Sequence, residues 1–183
     1  VRYSPASLRR SRAQTSSAGY RRGPPGVGAD GVGRRRAQRV GAGTGTWEYT
    51  AGFPGVTEIQ PGSFVLMDCV YHQFRPEFGC ALSILSSVVS IRPDWYVLDA
   101  GSKAISKDFG MPAIKGKPQE KVTRLSEEHT KVEIASPPVK LGEGREVLPA
   151  HCCATMNLHR QCLGVRGGKV EAVWPIEASG RYD

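Results

Sequence analysis

The sequence contains no uninterrupted apolar run of about 18 residues, so it offers no candidate for a membrane-spanning helix. The N-terminal segment is rich in arginine, but no apolar stretch follows it, so it does not have the form of a secretory signal peptide. The five cysteines form no Cys-x-x-Cys pair, and their number is odd. Reduced thiols are therefore expected, as is usual in the cytoplasm. The chain begins with Val1 rather than Met, which is typical of a fragment or a processed chain.

Lysine is absent before Lys103, whereas arginine is concentrated near the start of the chain. Residues 1–40 contain ten arginines and one acidic residue, and residues 41–183 contain 15 basic and 16 acidic residues, so the net charge of +8 belongs to the N-terminal segment. This segment has few apolar residues and no periodicity, which predicts a disordered basic tail. A basic tail can bind nucleic acid or anionic lipid, but Arg34–Arg36 has no interleaved aromatic residues. We therefore expect a solvated tail and neither a nucleic-acid nor a membrane partner.

From Val56 onward, short runs rich in β-branched residues are separated by glycine and proline. The predicted strands are 63–71, 80–91, 95–98, 131–134, 145–148, 163–165 and 169–174. Gly167 and Gly168 between the last two runs indicate a β-hairpin. No segment has the pattern of a long amphipathic helix. The fold class is therefore predicted to be all-β, a barrel or sandwich of about 120–130 residues.

Closely spaced glycines and threonines occur just after the tail, at Gly41, Gly43, Thr44, Gly45 and Thr46. Their backbone N–H groups and hydroxyls can form a cradle for a phosphate group. The segment matches neither a P-loop nor a dinucleotide-binding fingerprint. A flexible linker between the tail and the β-domain explains the composition equally well.

The segment after the predicted strand 145–148 contains His151, Cys152 and Cys153. If the extended conformation continues, His151 and Cys153 point to one side and Cys152 to the other. An imidazole and a thiolate at this spacing can bind Zn²⁺ or a similar ion, with open positions that are typical of a catalytic metal. The candidates for a third ligand are Glu128, His129 and Asp68. Two other arrangements remain: Cys152 acting with His129 or His159, and buried cysteines that bind no metal.

Five segments, in order over some 120 residues, resemble the D-threonine aldolase and eukaryotic-type D-serine dehydratase family. They are Gly41–Thr46, Val56–Asp68, Leu98–Lys103, Leu125–His129 and Pro149–Leu158. The resemblance implies that the intact protein is a pyridoxal-phosphate enzyme of the alanine-racemase fold type. In such enzymes a (β/α)₈ barrel carries the cofactor and a β-rich domain carries the metal. It also implies that Gly41–Thr46 is the last phosphate-binding loop and that His151 and Cys153 are metal ligands.

The family's barrel is missing from this sequence, and so is the lysine that forms the Schiff base, because no lysine precedes Lys103. We therefore expect residues 1–40 to be a tail unrelated to the family, 41–55 a remnant of the phosphate loop and a linker, and 56–183 the β-domain. No catalytic residue is assigned, and this chain is expected to be inactive alone.

The function that the resemblance implies is that of a lyase acting on β-hydroxy D-amino acids. The reaction is either D-serine dehydration to pyruvate and ammonia or D-threonine cleavage to glycine and acetaldehyde. The expected cofactors are pyridoxal phosphate and a divalent metal ion, and zinc is the first candidate for the metal. The His-x-Cys pair favours the dehydratase, and the intact enzyme is expected to be a homodimer. The alternatives are a non-catalytic metal-binding β-domain and a basic-tailed nucleic-acid-binding protein.

Overall fold

The computed structural model describes residues 39–135 and 139–181. The chain divides into two compact units, Val1–Gly62 and Ser63–Asp183. The predicted disordered tail lies outside the described residues except for Arg39 and Val40, and Val40 belongs to a short strand. No helix in the described ranges is both long and apolar enough to cross a bilayer.

In the first unit, two short strands pair in parallel around the glycine-rich segment. Strand β1 is Val40–Gly41 and strand β2 is Glu58–Ile59, with Val40 opposite Glu58. A short helix, α1 (Trp47–Ala51), lies between them in the sequence. The backbone of Arg39 and the side chain of Thr57 extend the pairing, because the Arg39 N–H donates to Thr57 Oγ1 at 3.0 Å.

The second unit is built on a six-stranded antiparallel sheet in the order β5-β8-β3-β4-β7-β6. Its strands are β3 (Ile84–Ile91), β4 (Trp95–Leu98), β5 (Ala113–Ile114), β6 (Lys121–Leu125), β7 (Thr130–Glu133) and β8 (Gly144–Leu148). The two end strands, β5 and β6, lie against each other, so the sheet is a nearly closed barrel. The predicted all-β class is confirmed, and the described residues contain no (β/α)₈ repeat.

The core of this barrel is formed by side chains at alternate strand positions. Tyr96 and Leu98 of β4 are fully buried, and so is Val132 of the neighbouring strand β7. This period of two is the signature of strands with one face toward a core. The other buried apolar members of the core are Val88, Ala100, Ile105, Ile114, Val122, Leu125, Ile134 and Val147.

A separate hairpin follows, in which β9 (Gln161–Arg166) pairs with β10 (Lys169–Pro175). Its turn is Gly167-Gly168, with φ values of 55° and 76°. Positive φ at both central residues is the conformation that two-residue hairpin turns require and that glycine adopts without strain. The hairpin predicted from this glycine pair is confirmed.

The strand predicted for residues 63–71 is wrong. Two 3₁₀ turns, Ser63–Val65 and Tyr71–Gln73, occupy this segment instead. Met67 has a φ of 52°, which is incompatible with an extended strand. The buried Asp68 holds the second turn, because its Oδ1 accepts the Tyr71 N–H at 2.8 Å. The apolar run thus forms a loop in which Phe64 and Val65 are exposed and only Met67 and Asp68 are buried.

Candidate functional site

The candidate site begins where β8 ends, at Leu148. The prediction that the strand continues through Cys153 is wrong, because helix α2 (Cys152–Met156) starts there. Only His151 keeps an extended backbone, with φ −142° and ψ 110°. The chain turns into a helix here because the Asp68 carboxylate accepts the Cys152 N–H at 3.1 Å, which satisfies a donor that has no partner within the helix.

The two adjacent cysteines lie in different surroundings. Cys152 is 1% exposed and faces the interior, whereas Cys153 is exposed. Burial, followed by the neighbouring Cys153 and Asp68, raises the pKa of the Cys152 thiol above its usual range. The Cys153 Sγ lies 3.9 Å from the Cys152 Sγ and 3.8 Å from Ser63 Oγ. Cys153 is therefore the thiol of this pair that an ion from solvent can reach.

The imidazole of His151 is fixed by two neighbours. Its Nδ1 lies 2.6 Å from Asp108 Oδ2, and its ring stacks on Phe109 with centroids 4.0 Å apart and planes 1° from parallel. Burial opposes the ionisation of Asp108 most strongly, but hydrogen bonds from Ser106 and His151 lower its pKa overall. An ionised carboxylate only accepts hydrogen bonds, so His151 donates through Nδ1–H, which leaves Nε2 as the ring nitrogen available to a metal ion.

None of the predicted third ligands joins this pair. Both oxygens of Asp68 accept backbone N–H groups, and Glu128 Oε1 lies 2.6 Å from Lys103 Nζ. His159 Nε2–H donates to the Ala104 carbonyl at 2.8 Å. Within residues 39–135 and 139–181, no group of three or more His, Cys, Asp or Glu side chains, including that of His129, is arranged to hold a metal ion.

The donor set that remains fits an open, two-ligand metal site. A neutral imidazole and a thiolate are ligands that Zn²⁺ accepts. A carboxylate behind the imidazole is the usual support of a metal-binding histidine, since it fixes the ring and its tautomer. His151, with Asp108 behind it, and the exposed Cys153 offer these donor types, whereas Cys152 is buried.

The glycine-rich turn of the first unit is closed by its own hydrogen bonds. The Gly43 N–H donates to Thr46 Oγ1 at 3.3 Å, and the Thr46 N–H donates to the Gly43 carbonyl at 3.0 Å. Thr44 is 2% exposed. In this conformation the Gly43 and Thr46 N–H groups do not point outward as a phosphate cradle requires. The predicted cofactor-binding role of Gly41, Gly43, Thr44, Gly45 and Thr46 is therefore supported by the resemblance alone.

Comparisons with known proteins agree with the resemblance. Residues 81–165 match the family model of the putative serine dehydratase domain. The chain is 37% identical over 151 residues to a 3-hydroxy-D-aspartate aldolase of Paracoccus denitrificans (strain Pd 1222), covering 77% of this chain and 39% of that protein. It is 37% identical over 148 residues to a D-threonine aldolase of Arthrobacter sp, again with 77% of this chain and 39% of the relative covered. The chain belongs to the D-threonine aldolase and D-serine dehydratase family.

Much of this chain has the same fold as part of the solved D-threonine aldolase from Filomicrobium marinum. The TM-score is 0.75 with 32% identity, over 78% of this chain and 42% of that one. The chain thus spans about two fifths of the length of the relatives that it matches. Those relatives are lyases by name, and each is named for a β-hydroxy D-amino acid.

Sequence reasoning missed Asp108 and Phe109, which contact His151, and Ser106, which contacts Asp108. Asp108 is 43 residues from His151, and no periodic pattern relates the two positions. The available signal was that Ser106–Phe109 begins three residues after the matching segment Leu98–Lys103. Ser63 was assigned to a strand, and its hydroxyl lies instead beside Cys153.

Proposed function

We propose that the second unit is the metal-carrying domain of a pyridoxal-phosphate-dependent lyase that acts on β-hydroxy D-amino acids. The observation that carries the proposal is the His151 ring held by Asp108, two residues before the exposed thiol of Cys153. The relatives named for 3-hydroxy-D-aspartate and D-threonine support the substrate class, since both compounds carry a hydroxyl on Cβ.

In this proposal, His151 Nε2 and Cys153 Sγ hold one divalent ion, with zinc as the first choice. The ion supplies Lewis-acid chemistry at the substrate's β-hydroxyl and keeps open positions for it. Asp108 and Phe109 orient the imidazole. Asp68 fixes the first turn of α2 through the Cys152 N–H. The protein's own contribution is thus to supply one nitrogen and one sulfur ligand.

The choice between cleavage and dehydration depends on small differences around such an ion. The relatives named as aldolases favour cleavage of the Cα–Cβ bond, as in D-threonine giving glycine and acetaldehyde. The serine dehydratase domain model and the His-x-Cys pair favour loss of the hydroxyl, as in D-serine giving pyruvate and ammonia. Cleavage is our first candidate, since relatives with 37% identity support it.

Three further properties belong to the proposal for the intact enzyme. Pyridoxal phosphate is its cofactor, and a homodimer is its assembly, both by analogy with the family. A cytoplasmic location is proposed because all five cysteines are free thiols. The chain of 183 residues taken alone has no lysine before Lys103, so its own proposed property is metal binding without catalysis.

The metal assignment is tested by titrating Zn²⁺ into the chain under reducing conditions against a chromophoric chelator. His151→Ala and Cys153→Ala are each expected to abolish binding, because each removes one of the two ligands. Cys152→Ala is expected to retain it, since that thiol faces the interior. Cys162→Ala, a cysteine of the β9–β10 hairpin, is the control for loss of a thiol. Equal losses in Cys152→Ala and Cys153→Ala would contradict the assignment.

A further inference from the structure

We propose that Asp108 is a positioning residue that holds His151 as the tautomer protonated on Nδ1 and thereby presents Nε2 to the metal. The inference rests on the proposed metal function of His151 and adds a residue to it. The contact is the 2.6 Å hydrogen bond from His151 Nδ1 to Asp108 Oδ2. Because the carboxylate can only accept, this bond selects one of the two neutral imidazole tautomers.

Asp108 is itself held in place from the other side. Its Oδ1 accepts a hydrogen bond from the Ser106 hydroxyl at 2.6 Å. The Ser106 N–H donates at 3.1 Å to Oγ1 of Thr155, which is fully buried in α2. A continuous set of hydrogen bonds therefore connects His151 to the helix that also carries Cys153. The imidazole is therefore supported by the same helix that carries the second proposed ligand.

Phe109 restricts the ring in the remaining direction. It lies parallel to the imidazole, with planes within 1° and centroids 4.0 Å apart. The hydrogen bond to Asp108 fixes the ring edge, and the stacking fixes the ring plane. Together these contacts leave the His151 imidazole with one orientation, which is the pre-organisation that a two-ligand site needs.

A purely structural role does not account for this arrangement. The side chains of His151 and Asp108 are 21% and 44% exposed, respectively. Ion pairs between partly exposed side chains contribute little to folding. Loss of Asp108 is therefore expected to change the state of His151 far more than it changes the stability of the domain.

The test compares the wild-type chain with Asp108→Asn, first without metal. Two-bond nitrogen–proton NMR correlations at alkaline pH identify which ring nitrogen of His151 carries the proton. We expect protonated Nδ1 in the wild type. In Asp108→Asn we expect loss of that preference, because the amide can rotate to donate to Nδ1. Asp94→Asn, which removes an exposed carboxylate from the β3–β4 turn, is the control and is expected to behave as the wild type.

The second readout is Zn²⁺ affinity, which we expect to fall by roughly 10 to 100-fold in Asp108→Asn. Ser106→Ala, which frees one oxygen of Asp108, should shift the tautomer and the affinity in the same direction by less. A wild-type His151 protonated on Nε2, or an Asp108→Asn variant with unchanged tautomer and affinity, would overturn the proposal. If the wild type binds no Zn²⁺, the metal function fails, while the NMR result still decides the positioning role of Asp108.

Discussion

Asp68 and Cys152, 84 residues apart in the sequence, are joined by a hydrogen bond of 3.1 Å from the Cys152 N–H to Asp68 Oδ2. The other carboxylate oxygen accepts the Tyr71 N–H at 2.8 Å. Asp68 is fully buried, so these two donors replace the water that an exposed carboxylate would have. The side chain that the sequence suggested as a metal ligand therefore ties the loop before β3 to the start of α2.

Asp68→Ala is expected to lower the free energy of unfolding by about 3 kcal/mol, because two buried N–H groups lose a charged acceptor. Asp68→Asn should cost less, since its amide oxygen can still accept one of them. Urea denaturation measures both values. Glu171→Ala removes an exposed carboxylate 3.2 Å from the exposed Arg166 and should stay within about 0.5 kcal/mol of the wild type. A stable Asp68→Ala variant would show that the contact is not needed.

The local sequence pattern was sufficient to predict the strands in which buried and exposed residues alternate regularly. The prediction for β4 matches its observed bounds, Trp95–Leu98, and β8 was recognised within one residue. Strand β6 was missed because a bulge between Val122 and Arg124 breaks its alternation. Its buried residues, Val122 and Leu125, are three positions apart, which is not a period of two.

The candidate site could be predicted only in part from the sequence, because two of its contacts join distant segments. His151 and Cys153 were predicted as ligands from a short segment, but their geometry was argued from a strand that the structure replaces with a helix. What ends the strand is the contact of Asp68 with Cys152, and what orients His151 is Asp108. Both contacts join distant parts of the chain, so neither leaves a periodic signal in the sequence.

The Asp99 carboxylate provides a pH-dependent contribution to stability. Hydrogen bonds from the Ser86 hydroxyl, at 2.6 Å, and then from the Ser87 N–H, at 2.8 Å, lower the pKa of Asp99. A carboxyl group whose pKa is lower when folded contributes stability above its unfolded pKa, and this stability is lost as pH falls through the folded value. The contribution should therefore be present at neutral pH and disappear below about pH 4.

Ser86→Ala removes the stronger of these two hydrogen bonds. We expect a lower urea midpoint than wild type at neutral pH and a smaller difference between the two proteins in acid. Ser90→Ala, on the same strand β3, is the control for changing a serine in this sheet. A difference between wild type and Ser86→Ala that grows as the pH is lowered would contradict the role of Asp99.

A buried charge network crosses the barrel at Arg145. Its Nε lies 3.2 Å from Glu120 Oε2, which also accepts the Tyr96 hydroxyl at 2.6 Å. The side chains of Arg145 and Glu120 are 7% and 13% exposed. Arg145→Ala should cost about 3 kcal/mol or more, because it leaves Glu120 as a buried, uncompensated charge.

A double-mutant cycle distinguishes that cost from the value of the pair itself. Arg145→Met combined with Glu120→Gln should destabilise the domain by less than the sum of the two single changes, measured by urea denaturation. Lys115→Ala, which breaks a half-exposed pair with Glu146, is the comparison and should cost less than about 1 kcal/mol. Additive effects in the double variant would indicate that the two charges do not interact.

The β9–β10 hairpin presents aliphatic side chains to solvent. Leu163, Val165, Val170 and Val173 are each more than half exposed, and the cross-strand pairs Val165–Val170 and Leu163–Val173 share one face. An exposed face of this kind favours association. We therefore expect the chain to self-associate. Val165→Thr with Val170→Thr, which keeps β-branched residues in both strands, should lower the mass measured by light scattering at high concentration. A monomeric wild type would contradict this.

Lys103 is the first lysine of the chain, and its amine is poorly suited to form a Schiff base. Its Nζ lies 2.6 Å from Glu128 Oε1 and 3.5 Å from Glu127 Oε2. The hydrogen bond and charge of Glu128, with a further contribution from Glu127, raise the pKa of Lys103. At neutral pH even less of the amine is then in the neutral form that attacks an aldehyde.

Pyridoxal phosphate added to the chain of 183 residues should therefore give no aldimine absorbance at stoichiometric cofactor. Borohydride reduction followed by mass spectrometry should find no preferred lysine, and Lys103→Arg should give the same weak labelling as the wild type. The pure chain should form neither pyruvate from D-serine nor acetaldehyde from D-threonine, because the sequence lacks the Schiff-base lysine that the resemblance implies and Lys103 is held by carboxylates at the surface. Selective labelling of Lys103, or turnover by the pure chain, would show that this chain supplies its own cofactor lysine.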